Sequence, residues 1–473
     1  MTYRNPKSSN GKTILIPLPY GIGWKTILNE KSIKYLSGKG FHIVLLVESE
    51  DMIPNNSNIT VRPLRRYTRN RWEIALGILR NIVFADTSRP FSETLEMKIR
   101  MYSREHPRIG LMRRLLGERM GKNTIVKKTL SWADKNLFPD RFYQKLFYET
   151  MPDAVFILYP FSYHVYPILR RASKNKVQTI AYVPSWDNLT SKWDVPAKID
   201  RLIVWNEVMK QEAIQFLGYD RDDVKVSGVP QFDLYASDRT IMTREQFIRI
   251  IGGDQKKKIL TYATGTPQLS VAEPDIVEII YNAIKSGEIK GPCQLILRLH
   301  PRRNIEDFSK LIEKEDLIVQ TPGKVSQEFS SSGYFWVSNV TDYGLLANTL
   351  AHSDVMINVA STITVESCIF DTPVVNVGFD GGRNVEYWKS VRRHFDYTHY
   401  RSIVKSNGVR VARDREQLIN YINTYLENPD MDSEGRMRIM ENQCYKIDGK
   451  SLDRVLSYVA EFLDESKTSR ALV

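Results

Sequence analysis

Several short segments of this chain carry side chains able to hold a phosphate, a sugar or a proton. Gln294-Leu-Ile-Leu-Arg298-Leu-His300-Pro301-Arg302-Arg303 reads as a strand that ends in an imidazole and two guanidiniums. Proline after His300 stops the strand and aims the imidazole. A histidine with arginine neighbours suits a phosphate or diphosphate leaving group, by charge and by protonation. His106-Pro107 shows that the dipeptide itself is common, so the place of His300 after a core strand gives it weight. Thr264-Gly265-Thr266-Pro267 also follows a strand, and small residues there allow close backbone approach to a phosphate. Asp354–Ala360 runs into Ser361-Thr362-Ile363-Thr364-Val365-Glu366. There Ser and Thr open a helix whose free N–H groups suit a phosphate, and Glu366, one turn in, suits ribose hydroxyls. The same residues equally make a plain capped helix with a first-turn acid.

The remaining segments have two readings each. Asp187, in Pro184-Ser-Trp-Asp187-Asn188, is a general base if apolar neighbours raise its pKa. Otherwise it bonds its own turn. Asp380-Gly-Gly-Arg383-Asn384 suits sugar contact or a tight turn. Gly21-Ile22-Gly23 lacks the third glycine of a dinucleotide fingerprint. Glu48 ends the second strand, where a dehydrogenase would hold a ribose, but a plain turn explains the glycines as well. No paired carboxylates have metal-ligand spacing, so no metal is expected.

Strands that are apolar on both faces must position these residues. In the first half they fall at 13–18, 41–49, 58–64, 153–161, 177–185, 201–206 and 223–230. In the second they fall at 257–264, 294–299, 354–360 and 372–379, with YFWVSN between. Helical crossovers between such strands indicate parallel sheets covered on both sides. The expected fold is α/β, with two doubly wound Rossmann-like domains facing a central cleft. Residues 1–230 form an N-terminal acceptor domain with an insertion at about 62–128. Residues 231–430 form a nucleotide-donor domain, and 431–473 are C-terminal helices. Ligands in such sheets lie beyond the carboxyl ends of the strands.

A length of 473 residues, 42% hydrophobic and 26% charged, excludes disordered and fibrous classes. No apolar run is long enough to span a membrane, and no signal-peptide core opens the sequence. Three scattered cysteines, Cys293, Cys368 and Cys444, suit reduced thiols, so a cytoplasmic location is expected. The net charge is +12, and residues 62–128 hold 17 Lys/Arg against 6 Asp/Glu, nearly the whole surplus. These basic stretches interleave with Ile, Leu, Met and Trp. They suit either an anionic membrane surface or a solvated insertion. No nucleic-acid-binding motif occurs, so no such partner is expected.

Together these positions resemble glycosyltransferases of the GT-B fold, with 354–380 similar to their donor-binding strand, loop, helix and strand. Many retaining members carry two glutamates with seven residues between them. Glu366 matches the second and Asn358 stands at the first. His300-Pro301 and Ser361-Thr362 are similar to the His-Pro and Ser-Ser or Ser-Thr motifs of bacterial sialyltransferases and Kdo transferases, which hold a CMP leaving group. CDP-glycerol glycerophosphotransferases resemble the second half as well. The resemblance implies a metal-independent, inverting transfer from a nucleotide-sugar, CMP-linked rather than UDP-linked, to a surface-glycan or lipid-linked acceptor. No separate cofactor is implied. Thr264, Gly265, Thr266, Arg298, His300, Arg302, Ser361, Thr362, Thr364 and Glu366 would bind the donor. His300 would also act on the leaving phosphate. The acidic-acidic-glycine base motif is absent, and Asp187 takes that role. Gly21, Gly23, Asn188, Asp380 and Arg383 would contact sugar or acceptor. The enzyme would be peripheral on the inner membrane face. A glycerophosphotransferase, a UDP-sugar 2-epimerase and an inactive nucleotide-binding scaffold are the alternatives.

Overall fold

The computed structural model describes residues 11–19, 26–48, 59–85, 92–121, 123–192, 195–237, 240–267, 270–312, 314–322, 324–326, 335–337 and 340–470. The chain divides into two compact units, one of residues 1–231 with 450–473 and one of residues 232–449. The expected group of helices at 431–473 is therefore shared out. Helix Ser433–Cys444 packs in the second unit and helix Ser451–Arg470 in the first.

The first unit is built on β1 (Thr13–Pro17), β2 (His42–Val47), β3 (Ile59–Pro63), β4 (Ala154–Ile157), β5 (Gln178–Tyr182), β6 (Arg201–Val204) and β7 (Val224–Val226). They form one sheet in the order β3-β2-β1-β4-β5-β6-β7. Every pairing is parallel, with Ile14 opposite both Ile43 and Ala154. Ile14, Leu15 and Ile16 are successive and all fully buried, as a strand covered on both faces requires. The strand order reverses between β1 and β4, which makes a doubly wound sheet.

Between β3 and β4 the chain makes helices rather than an irregular excursion. Arg71–Ala85, Glu93–Glu105, Pro107–Met112, Thr124–Asn136 and Arg141–Thr150 are α-helical, and Arg113–Gly117 is a π-helical stretch. Ser92, Asn123 and Asp140 accept hydrogen bonds from first-turn N–H groups and so start three of these helices. The basic segment lies within this layer.

The second unit has β8 (Lys258–Ala263), β9 (Cys293–Arg298), β10 (Leu317–Gln320), β13 (Val355–Asn358), β14 (Val374–Val377) and β15 (Arg410–Ala412), with β11 (Lys324–Ser326) and β12 (Phe335–Val337) as a separate antiparallel ribbon. The sheet runs β10-β9-β8-β13-β14-β15, all parallel. Tyr262, Leu295, Leu297, Val355 and Ile357 face Ile276 and Ile280 on one side. Ile259 and Ile296 meet Phe247 and Ile248 on the other. Among the described residues no helix is long and apolar enough to cross a membrane.

Helix Ser433–Cys444 reaches this unit through two glycines. A Cβ on Gly435 would lie 2.3 Å from the carbonyl carbon of Asn407 and from the nitrogen of Gly408, so backbone meets backbone. Arg436, fully buried, then donates to Asp371 Oδ1 at 2.7 Å and to the carbonyls of Met431 at 2.7 Å and Pro429 at 2.9 Å. Gly435→Ala is expected to destabilise the second unit by about 3 kcal/mol in urea unfolding, because neither backbone can yield. Gly344→Ala, with open space at its Cβ, should cost nothing. Equal midpoints for the two variants would show that the close approach is absent.

Candidate functional site

The strands of the second unit end level with one another. Ala263 pairs with both Arg298 and Asn358, so the residues just beyond β8, β9 and β13 share one rim of the sheet. Three of the expected segments meet there. Thr264 N–H donates to Arg298 O at 2.9 Å, and His300 N–H donates to Thr264 Oγ1 at 2.7 Å. Arg302 N–H donates to His300 Nδ1 at 3.0 Å, which leaves Nε2 as the protonated nitrogen of a neutral ring. Burial, with Arg302 and then Arg303 nearby, pulls the His300 pKa down to about 4. The imidazole is thus a neutral hydrogen-bond donor at physiological pH, not a stored proton.

The loop after β8 is braced from beneath. Fully buried Glu273 accepts the N–H of Gly265 at 2.8 Å and is bridged by buried Arg303, which also donates to Ser270 O at 2.8 Å. Arg303 is therefore occupied internally, while Arg302 is exposed. Thr266 is partly exposed above this brace.

Beyond β13, Ser361 takes the N-cap position of helix Thr362–Ile369 with extended backbone, yet its side chain makes no cap. Its Oγ is a buried atom without a hydrogen-bond partner. Thr362 is partly exposed at the first helical position. Thr364, by contrast, is buried and donates to Asn358 Oδ1 at 3.0 Å.

Glu366 is also buried, and Tyr235 O–H donates to its Oε2 at 2.5 Å. Burial raises its pKa to about 7, against the opposing pull of Tyr235 and Arg298. Arg298 is buried too and donates to Gln320 Oε1 at 3.0 Å. In this arrangement Arg298, Thr364 and Glu366 face inward, and the rim itself presents Thr266, His300, Arg302, Ser361 and Thr362.

The loop after β14 is self-contained. Buried Asp380 accepts from the N–H of Val391 at 3.0 Å and from the Ser390 hydroxyl. Arg383 makes a two-point pair with Asp275, at 2.6 and 3.1 Å. A cavity of about 330 Å³ opens beside it, lined by Gly381, Asn384, Arg392 and Arg413 among others. Arg413 follows β15, so the same position-after-strand signal that selects His300 applies to it. That strand is short and opens on Arg410, and its sequence gave no apolar run to find.

In the first unit, Asp187 Oδ1 accepts from Ser185 Oγ at 2.5 Å and Asn188 Nδ2 at 3.1 Å, and Oδ2 accepts from Ser191 Oγ at 2.8 Å. Its carboxylate thus organises the turn, and Asn188 is buried. Glu212, buried with Oε2 unpartnered, is a neighbour that sequence reading missed. Burial, reinforced by the charge of Asp187, raises its pKa to about 8. Glu48 is raised by burial against the pull of Arg66. Gly21 and Gly23 lie outside the described residues.

Two all-parallel, doubly wound α/β units in succession define the GT-B fold. No family model matches the sequence, and no curated protein does. Among solved structures, the UDP-GlcNAc 2-epimerase of Neisseria meningitidis bound to UDP-GlcNAc is 12% identical, with a TM-score of 0.51 over 95% of this chain and 100% of that one. S. aureus MnaA in its structure with UDP is 11% identical, with a TM-score of 0.51 over 96% and 97%. A glycosyltransferase from Rickettsia africae is 11% identical, with a TM-score of 0.48 over 97% and 99%. At these identities the likeness is one of fold.

The raised pKa of Glu212 sets a pH dependence. Its folded value, about 8, lies above the ordinary carboxyl value of 4.5, so ionisation is disfavoured in the folded state. The stability it contributes is complete below about 4.5 and lost as pH rises through about 8. The wild-type melting temperature is therefore expected to fall between about pH 5 and 8 more steeply than that of Glu212→Gln, and to run parallel to it above about pH 8. Profiles parallel throughout would mean that Glu212 is ionised at neutral pH.

Proposed function

We propose that the chain is a glycosyltransferase that uses a nucleotide-activated sugar and delivers it to a glycan or lipid-linked acceptor. The observation that carries this reading is the Ser361 hydroxyl. It sits buried and unpartnered at the N-terminus of helix Thr362–Ile369, one strand from Thr264 and two from His300. Buried hydroxyls without partners are uncommon, and one at a helix N-cap fits a phosphate oxygen as its missing partner.

In this reading the donor phosphates lie across the rim formed by Thr264–Thr266, His300 and Ser361–Thr362. His300 donates from Nε2–H to an oxygen of the leaving phosphate and stays neutral through the reaction. The N–H groups of helix Thr362–Ile369 share the developing charge. Arg302 supplies the nearby positive charge. Glu366 reaches a ribose only when Tyr235 releases it. Asp187 of the first unit is assigned to the acceptor hydroxyl, with protonated Glu212 beside it, and the transfer inverts the anomeric centre.

The His300-Pro301 and Ser361-Thr362 pattern favours a CMP-linked donor. The two fold relatives with UDP or UDP-GlcNAc bound favour a uridine nucleotide. The Neisseria protein, a UDP-GlcNAc 2-epimerase, also supports a second reading, 2-epimerisation of a UDP-sugar. That reaction proceeds on donor alone, so an epimer formed from UDP-GlcNAc without acceptor would favour it over transfer.

The site is tested by thermal shift with CMP, CDP, UDP, UMP, GDP and NAD⁺. A ligand at about a hundred times its Kd should stabilise the wild type by about 2.7 kcal/mol. Ser361→Ala is expected to leave the ligand-free midpoint unchanged, since its hydroxyl bonds nothing, and to weaken the active nucleotide about tenfold. His300→Ala should weaken it similarly. A nucleotide shift retained in both variants would remove the phosphate from this rim, and a response to NAD⁺ alone would move the active site to the first unit.

A further inference from the structure

The helical layer between β3 and β4 has an outward surface that the nucleotide chemistry leaves unused. Fifteen large hydrophobic side chains are exposed among the described residues, and nine of them lie between Trp72 and Leu137. Six are more than half exposed: Trp72 at 67%, Leu111 at 56%, Leu115 at 59%, Ile125 at 74%, Trp132 at 60% and Leu137 at 57%. Helices Arg71–Ala85 and Thr124–Asn136 pack together, and the Arg113–Gly117 stretch packs on the first of them. Ile125 and Trp132 are seven residues apart, two helical turns, so they project from one face, with Lys128 between them. Trp72 borders an apolar groove of about 540 Å³, lined also by Leu76, Leu79, Leu137 and Phe138.

The charge on this layer is strongly of one sign. Arg69, Arg71, Arg100, Arg108, Arg114 and Lys128 are exposed, while the exposed acids among the described residues between 65 and 132 are Glu93 and Glu105. The Arg71 guanidinium lies 5.2 Å from the centre of the Trp72 ring. Tryptophan beside arginine is amphipathic and partitions to a polar–apolar boundary. Apolar exposure concentrated in one layer marks a contact surface, and the cations set among it select an anionic partner.

The geometry points to this layer as a docking surface for an anionic lipid bilayer. Exposed Leu115 and Ile125 have no use against a phosphate backbone, whereas acyl chains receive them. A second copy joined symmetrically through the same face sets arginine against arginine. A bilayer with anionic headgroups satisfies the charge and the apolar side chains at once. The inference does not depend on which sugar is transferred.

Vesicle binding by the full-length protein tests it. Co-sedimentation is measured with phosphatidylcholine vesicles containing roughly 30% phosphatidylglycerol, and with phosphatidylcholine alone, at about 0.1 M salt. Binding to the anionic vesicles only is expected. Arg108→Gln/Arg114→Gln/Lys128→Gln should weaken it about a hundredfold, near fivefold per charge. Trp72→Ser/Trp132→Ser should abolish quenching by brominated lipid. Both variants should keep the nucleotide thermal shift, which separates this surface from the donor rim. Equal binding to both vesicle types, or to neither, overturns the proposal. So does binding to duplex DNA that outcompetes the vesicles, or self-association lost in the tryptophan variant without any vesicle binding.

Discussion

The rim of the second unit depends on one buried amide. Asn358, the last residue of β13, accepts at Oδ1 from Thr364 Oγ1 and Asn376 Nδ2, each at 3.0 Å. The Tyr400 hydroxyl donates to Asn376 Oδ1 at 2.9 Å and lies 2.9 Å from Thr364 Oγ1. Two strands, a helix and the Thr398–Lys405 helix are thereby joined in one polar ring under Ser361. The hydrogen bonds of the ring join neutral groups, so a glutamate at position 358 would bury an anion among them. The departure from a two-glutamate pattern therefore has a packing reason. Asn358 is fully buried and holds the turn from which the unpartnered Ser361 hydroxyl starts the next helix.

The same economy governs charge at the rim. A buried ion pair, Glu273 with Arg303, fixes the loop after β8, and a main-chain N–H fixes the tautomer of His300. Neither device exposes its charge. What reaches outward is a set of neutral donors with fixed directions, plus exposed Arg302. Preorganised donors of this type stabilise a charge that appears during a reaction without first having to turn toward it. They also hold a neutral ligand poorly, which makes the site selective for groups that become more negative.

The sheets were legible in the sequence because strands covered on both faces are continuous apolar runs. β15 was not, since Arg410-Val-Ala412 is three residues long at the sheet edge, and with it went Arg413 and its cavity. Position after a strand located the rim but could not say which way each side chain faces. Arg298 and Glu366 look like ligands in the sequence and are buried against Gln320 and Tyr235. Tyr235 stands 131 positions before its partner, a separation across which local pattern carries no information. Helix Ser433–Cys444 lies within the expected C-terminal helices, but its place on the second unit was not legible. Its buried face is anchored by Arg436 and a glycine, and neither gives an amphipathic signal.

The basic segment shows how a local excess of charge can be both structural and external. Inside the first unit, Arg170 donates to Glu73 at 2.7 Å and to Asp134 at 2.5 Å, Arg80 binds the other oxygen of Asp134, and Tyr67 donates to Glu73 at 2.5 Å. All four charged groups are buried. Arg80 and Glu73 come from one inserted helix, Asp134 from another, and Arg170 from the helix that covers the sheet. Desolvating four charges is costly, and a buried network of this type is weak support for stability. Its effect is directional, because any shift of either inserted helix would strand a buried charge. Two acids are consumed in satisfying the interior arginines, so fewer carboxylates of this layer remain to face the exposed Arg69, Arg71, Arg108, Arg114 and Lys128. The cationic exterior is thus a consequence of how the layer is pinned to the sheet, and the apolar side chains set among those cations decide what such an exterior can meet.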